Sequence, residues 1–125
     1  MGAEYLYKDL TYKIIGALFE VHKSLGPAHK ENIYHEAVKI ELKLQDIPFA
    51  EEKALEVKYK GQNIGIYRPD FIIDDKVILE IKAVPVLAKA MLDQMYYYVK
   101  GSNYKLALLA NFGTNKLGIK RRIYT

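Results

Sequence analysis

The sequence predicts an α/β domain with three layers, in which helices cover both faces of a mixed β-sheet. Three observations lead to this class. Residues 10–45 show the three- and four-residue spacing of amphipathic helices, residues 71–79 have the pattern of a β-hairpin, and a further helical segment separates that hairpin from an apolar strand near the C-terminus. Strands and helices interleaved in this way need a sheet covered on both faces. We expect the order α-α-β-β-β-α-β-β in one domain spanning residues 1–125.

Two amphipathic helices are predicted first, over residues 10–25 and 30–45. Gly26-Pro27 ends the first of them. The apolar residues that recur at helical spacing in the first are Ile14, Ile15, Leu18, Val21 and Leu25. Those of the second form a broader stripe of Ile33, Tyr34, Ala37, Val38, Ile40, Leu42 and Leu44. Both stripes indicate helices that pack on a core.

A meander of three antiparallel strands is predicted next. Residues 50–60 alternate polar and apolar, a turn follows at residues 61–63, and a second strand covers residues 64–73. After the third strand, helical spacing returns over residues 86–100 and ends at Gly101-Ser102-Asn103. Residues 104–111 then predict a buried strand, and residues 117–124 a more exposed final strand.

The hairpin between the second and third strands carries charges that need an explanation. If residues 74–76 form the loop, Ile73 faces Val77, and counting outward places Asp70 opposite Glu80 with Cβ atoms roughly 4.5 to 5.5 Å apart. Lys82 then shares the face of Glu80 because side chains alternate along a strand. One face therefore collects the charges, and the apolar residues of the other face are Phe71, Ile73, Val77, Leu79, Ile81 and Ala83.

Two carboxylates in facing positions repel each other, by up to about 1 kcal/mol when exposed and by more in a low dielectric. Lys82 offsets one charge, whereas a divalent cation bound by carboxylate oxygens offsets both, and this chemistry suits Mg²⁺. The alternative is a solvent-facing side of a strand with ordinary alternating charges. Ile72 and Ile78 share the charged face, which favours strands buried on both sides and so favours the cation site.

These residues resemble the signature of the PD-(D/E)XK nuclease superfamily: Pro69-Asp70, nine intervening residues, then Glu80-Ile81-Lys82. The resemblance implies a restriction-endonuclease-like fold and a Mg²⁺-dependent nuclease, with Mn²⁺ as an alternative ion. It implies that Asp70 and Glu80 bind the metal, and that Lys82 activates water and stabilises the transition state. Arg68, just before the motif, is a candidate for binding substrate.

Residues 28–34 resemble the motif of the GxxExxY family of small proteins in this superfamily, with Ala28 in place of the Gly and with Glu31 and Tyr34 matching. The resemblance implies that Glu31 is a third catalytic carboxylate and metal ligand. The alternative for Glu31 is an acid that stabilises a helix N-terminus, by roughly 0.3 to 1 kcal/mol. Tyr34, a second substrate-binding candidate, can hold Glu31 or pack in the core.

Gln94 and Tyr98 lie four residues apart on one face of the third predicted helix. The spacing resembles the Q-x-x-x-Y motif of the RecB-like branch, which implies that both position the nucleic acid or the catalytic lysine. A solvated Gln and a packed Tyr are the alternative. Three histidines, His22, His29 and His35, do not show the spacing of a zinc site.

Composition bears on the binding partner and on the cellular location. The net charge of +4 permits a polyanionic partner, and the family resemblance implies that this partner is nucleic acid, DNA in preference to RNA. The chain has no cysteine, no N-terminal signal segment and no apolar run long enough for a membrane span, which favours a cytoplasmic protein. Without a recognition domain, specific cleavage would need a homodimer or a protein partner. The alternative to an enzyme is a module that kept the fold and only binds nucleic acid or protein.

Overall fold

Three helices and seven strands are formed within residues 6–124, the part of the chain that the computed structural model describes. The helices are α1 (Lys8–Leu25), α2 (Glu31–Leu44) and α3 (Lys89–Lys100). The strands are β1 (Phe49–Glu51), β2 (Leu55–Tyr59), β3 (Gln62–Tyr67), β4 (Phe71–Ile73), β5 (Val77–Lys82), β6 (Leu106–Asn111) and β7 (Gly118–Ile123). Residues 1–5 lie outside the described residues, and the prediction that the N-terminus carries no signal segment falls mostly on them.

Five strands form a mixed sheet in the order β1-β4-β5-β6-β7. β5 and β6 run parallel, and the other neighbours run antiparallel. Because parallel neighbours need a crossover connection, α3 lies between β5 and β6 in the chain. β6 is buried at every position, whereas the edge strand β7 is partly exposed. The prediction of an α/β domain with a mixed sheet and this order of helices and strands is confirmed.

Each face of the sheet has its own apolar core, which gives the three layers. The larger core joins α1 and α2 to alternate residues of the central strands, among them Phe71, Leu79 and Ile81. The smaller core joins α3 to the residues between them, including Ile72 and Ile78. Burial of one such side chain stabilises a fold by roughly 1.5 to 3 kcal/mol. The expectation that these strands are buried on both sides is therefore confirmed.

The meander predicted over residues 50–73 is divided in the structure. Glu52 has a φ of 52°, a left-handed conformation that breaks the first predicted strand into β1 and β2. Pro69 has no backbone N–H for a sheet ladder and lies in the gap between β3 and β4. As a result β2 and β3 form a separate hairpin, and β1 pairs directly with β4. That hairpin stands beside the catalytic candidates instead of extending the sheet.

The helix boundaries follow their turn residues. α1 ends where Gly26 adopts a φ of 71°, and the hydroxyl of Tyr34 donates a hydrogen bond to the carbonyl of Gly26. This bond closes the connection between α1 and α2. α3 begins at Lys89, three residues later than residue 86, where the sequence pattern placed its start. In the described part of the chain, no helix is both long enough and apolar enough to span a membrane.

Candidate active site

Asp70 and Glu80 lie together where β4 and β5 stop pairing. The register is the predicted one, with Ile73 opposite Val77, and the ladder ends at Phe71 opposite Leu79. Beyond the ladder, the two carboxylates accept the hydrogen bonds that backbone carbonyls accept within it. The N–H of Asp70 donates to Glu80 Oε1 at 2.8 Å, and the N–H of Ile81 donates to Asp70 Oδ2 at 2.7 Å. The hairpin therefore brings the two predicted carboxylates together and fixes both.

Glu80 carries a charge that its surroundings disfavour. Burial, and then the neighbouring negative charge of Asp70, raise the pKa of Glu80 from 4.5 to about 7, although the hydrogen bond from the Asp70 N–H works in the opposite direction. Near neutral pH the site therefore favours a bound proton or another positive charge beside Glu80. Perturbation by burial and a like charge is typical of functional carboxylates.

Tyr67, at the end of β3, lies against Glu80. Burial, with the charge of Glu80, raises the pKa of the Tyr67 hydroxyl. That hydroxyl is buried and faces the carboxylate of Glu80. The ring of Tyr67 stacks on the ring of Tyr98 from α3, with centroids 4.5 Å apart and planes inclined by 10°. The β2–β3 hairpin and α3 therefore contact each other next to Glu80.

Lys82 follows Glu80 on the same face of β5, as the alternation of the strand requires. Its backbone carbonyl accepts a hydrogen bond from the N–H of Phe112 at 2.8 Å, which anchors the end of β5 next to the end of β6. The Lys82 side chain is half-buried, and no carboxylate within residues 6–124 forms an ion pair with it. Its ammonium group is consequently available to a negatively charged ligand.

His35 of α2 joins Asp70 to Glu51 at the end of β1. Its Nδ1 lies 2.9 Å from Asp70 Oδ1, and its Nε2 lies 2.7 Å from Glu51 Oε2. Burial opposes a positive charge on the imidazole, but the hydrogen bonds and charges of Glu51 and Asp70 outweigh it and raise the pKa of His35. An imidazolium donates from both nitrogens, which suits two carboxylate acceptors. Lys39 completes this row, with its Nζ 3.1 Å from Glu51 Oε1.

Sequence patterns did not identify His35, Glu51 or Tyr67 as site residues. A signal existed for His35, because it follows Glu31 by four residues and therefore lies on the same face of α2. Glu51 and Tyr67 gave no comparable signal. His35, Glu36 and Glu51 also bring ligand atoms within 4.8 Å of one another, a spacing that can hold a metal ion.

Glu31 and Tyr34 occupy different environments on α2. Glu31 is exposed in the first turn, one turn before His35, and makes no hydrogen bond or ion pair with Asp70 or Glu80 among the residues described. Tyr34 is fully buried and stacks on Phe112, with ring centroids 4.6 Å apart. Its burial corresponds to the packing alternative and not to a substrate contact, because the core leaves no surface of Tyr34 open to a ligand.

The remaining substrate-binding candidates lie around the same edge. Tyr98 is half-buried and connects to Glu80 through its stack on Tyr67. Gln94 is exposed one turn earlier on α3, and Arg68 is exposed directly before Pro69. Neither Gln94 nor Arg68 makes a hydrogen bond to the carboxylates within residues 6–124. Only Tyr98 of these three is joined to the site by a described contact.

The residues present fit a divalent cation. Asp70 and Glu80 offer carboxylate oxygens from neighbouring positions, and hard cations such as Mg²⁺ prefer oxygen ligands. Burial and the charge of Asp70 raise the pKa of Glu80, an electrostatic cost that a bound cation would offset. The donor chemistry and the electrostatics therefore agree with the cation site predicted for this hairpin.

The chain was compared with known protein families, curated proteins and solved structures. Residues 8–122 match a family model described as the PD-(D/E)XK nuclease superfamily. The matched region contains the three described helices, strands β1 to β6, all of β7 except Ile123, and the residues from Glu31 to Tyr98 discussed above. No curated protein and no solved structure matched the chain.

Proposed function

The chain belongs to the PD-(D/E)XK nuclease superfamily, and from this premise we propose that it is a divalent-metal-dependent nuclease that hydrolyses phosphodiester bonds. Within the superfamily we place it in the GxxExxY family, on Glu31 and Tyr34 of the motif. The proposed substrate is nucleic acid, DNA in preference to RNA, and the proposed metal is Mg²⁺, with Mn²⁺ as the alternative.

The pairing of Asp70 with Glu80 is the observation that carries this proposal. Neutral side chains could accept the same backbone hydrogen bonds at lower electrostatic cost, so the fold alone does not account for two repelling carboxylates at a partly buried position. The arrangement is useful when a cation binds between them. A module that only binds nucleic acid would have no need for this pair, which favours an enzyme over that alternative.

The roles follow from position. Asp70 and Glu80 would hold the metal, and Glu31 would contribute from the first turn of α2, directly or through water. When bound, the divalent ion supplies Lewis-acid chemistry to the phosphate and makes water more acidic. Lys82, half-buried and with no described ion pair, would stabilise the negative charge that develops on the phosphate during attack by water.

His35 has a positioning role in this proposal. Its hydrogen bond holds Asp70 Oδ1, while the backbone N–H of Ile81 holds Oδ2. The stack of His35 on Phe71, with centroids 4.5 Å apart, keeps the imidazole in place. Groups that orient a ligand residue in this way commonly change metal affinity when they are removed.

Calorimetric titration with Mg²⁺ and with Mn²⁺ tests the proposal, together with cleavage assays on single- and double-stranded DNA and RNA. The parent protein should bind the metal and cleave at least one of these substrates. Asp70→Asn and Glu80→Gln should abolish both, whereas Glu20→Gln on the outside of α1 should change neither. Absence of cleavage by the parent on every substrate, with either metal, would overturn the proposal.

A further inference from the structure

A groove with a volume of about 850 Å³ lies between the β2–β3 hairpin, the C-terminal end of α3 and the turn from β4 to β5. It exists because β2 and β3 leave the main sheet and form a separate two-stranded unit. Tyr67 lines this groove and also lies against Glu80, so one wall of the groove contacts a proposed metal-binding carboxylate. Asp75 and Lys76, in the turn that precedes β5, line it as well.

Five tyrosines from different parts of the chain line the groove: Tyr7, Tyr67, Tyr97, Tyr98 and Tyr104. Tyr97 is 76% exposed, so its ring is open to a ligand in the groove. Tyr98 and Tyr67 already stack on each other. Tyr97, which precedes Tyr98 on α3, adds an exposed ring. Flat aromatic faces in a cleft are a stacking platform for bases.

The charge of the groove favours a polyanion. Four lysines line it, against two acidic residues, Glu56 and Asp75. Glu56 is paired with Lys58 at 3.1 Å, and Asp75 accepts a hydrogen bond from the Tyr104 hydroxyl at 2.7 Å. The ammonium groups of Lys53 and Lys105 form no ion pair within residues 6–124. These two lysines are therefore available to phosphates.

We infer that this groove binds single-stranded nucleic acid, with bases stacked on Tyr97 and its neighbours, and phosphates on Lys53 and Lys105. The inference rests on the proposed function, because it assigns the groove to the substrate of that site. Single strands fit better than duplexes for a geometric reason. The faces of bases in a duplex are covered by the neighbouring base pairs, and only their edges are open, whereas an unpaired base offers its face to an aromatic ring.

Fluorescence anisotropy tests the inference with labelled 12-nucleotide oligothymidylate, 12-nucleotide oligouridylate and a DNA duplex of equal length, all in Ca²⁺ to prevent cleavage. Tyr97→Ala should weaken single-strand binding about tenfold or more. Its matched control is Tyr12→Ala on α1, where the side chain is 81% exposed and does not line the groove, and binding should change less than about twofold. Equal melting temperatures of the variants would exclude unfolding as the cause.

The lysines have their own readout. The double variant Lys53→Ala, Lys105→Ala should make the logarithmic salt dependence of single-strand binding shallower by about 1.4 in slope, the value for two phosphate contacts. The matched pair Lys13→Ala, Lys23→Ala on exposed positions of α1 should leave the slope unchanged. Binding that depends on Tyr97 and on these lysines, with DNA or RNA, supports the inference.

The outcomes separate this inference from the proposed function. If the parent cleaves nucleic acid with Mg²⁺ but binds duplex as tightly as single strands, or if Tyr97→Ala binds like Tyr12→Ala, the inference is overturned and the nuclease proposal stands. If the parent binds single strands through Tyr97 but never cleaves, the groove assignment is supported and the nuclease proposal fails. A parent that binds none of the three probes overturns the inference.

Discussion

The backbone N–H of Asp70 donates a hydrogen bond to the Glu80 carboxylate, with 2.8 Å between nitrogen and Oε1. This bond holds a second carboxylate next to Asp70 in a site that raises the pKa of Glu80 to about 7 through burial and the charge of Asp70. The geometry of the pair is thus set by backbone groups, and its electrostatic cost remains until a cation or a proton binds. That cost can be measured.

Glu80→Gln should remove a pH dependence of stability in metal-free buffer. Because the folded-state pKa of Glu80 is raised from 4.5, its contribution is fully present below pH 4.5 and is lost as the pH rises through about 7. The variant should therefore gain stability relative to the parent between pH 4.5 and 8, by on the order of 3 kcal/mol at most. Urea unfolding at several pH values measures the difference.

The control for this experiment is Glu20→Gln, an exposed position on α1, which should follow the parent at every pH. Added Mg²⁺ should stabilise the parent and leave Glu80→Gln unaffected, because a ligand stabilises only the state that binds it. A variant that is clearly less stable than the parent at pH 8 without metal would mean that the carboxylate serves the fold and not a cation site.

Local patterns predicted the register of this hairpin because its information is local. Apolar residues on both sides of a short polar turn fix which residues face each other, and Ile73 opposite Val77 follows directly. The breaks in the neighbouring strands were harder to predict from the sequence. Pro69 marks one break, but the left-handed conformation of Glu52 has no sequence signal, since Glu is not a residue that favours positive φ.

The surroundings of the carboxylates were harder to predict because they come from distant parts of the chain. His35, Glu51 and Tyr67 reach Asp70 and Glu80 from α2, β1 and β3 only after the sheet has formed. Periodicity places each residue on a face of its own element, but it does not specify which faces meet. Residues with a motif could be named from the sequence, and residues whose role depends on packing could not.

His35→Gln should weaken Mg²⁺ binding and lower stability by roughly 1 to 3 kcal/mol, since Asp70 and Glu51 would lose a shared partner. The pKa of His35 is raised above 6.5, so its contribution is complete below pH 6.5 and disappears as the pH rises through the folded-state value. The deficit of the variant should be larger at pH 5.5 than at pH 8.5. His29→Gln, at an exposed position, is the control, and an equal deficit at both pH values would contradict the ionic role.

Glu31→Ala should weaken Mg²⁺ binding less than Asp70→Asn does. Glu31 is exposed and lies one helical turn from His35, whereas the carboxylate of Asp70 accepts a hydrogen bond from the backbone N–H of Ile81 in β5. We expect a loss of several-fold for Glu31→Ala and loss of detectable binding for Asp70→Asn, measured by calorimetry. If removal of Glu31 abolishes binding while Asp70→Asn retains it, the metal ligands have been misassigned.

Lys82 distinguishes catalysis from binding, because its residue is half-buried, its ammonium has no ion pair among the described residues, and it shares the face of Glu80. If it acts on the transition state, Lys82→Ala should slow single-turnover cleavage by about two or more orders of magnitude, or roughly 3 kcal/mol of barrier. Affinity measured in Ca²⁺ should fall only modestly, since an interaction made only in the transition state does not contribute to ground-state binding.

Lys43→Ala, an exposed position on α2, should change neither quantity. A lysine that merely contacts phosphate would show the reverse pattern, with weaker binding, a shallower salt dependence and the parent rate once the protein is saturated with nucleic acid.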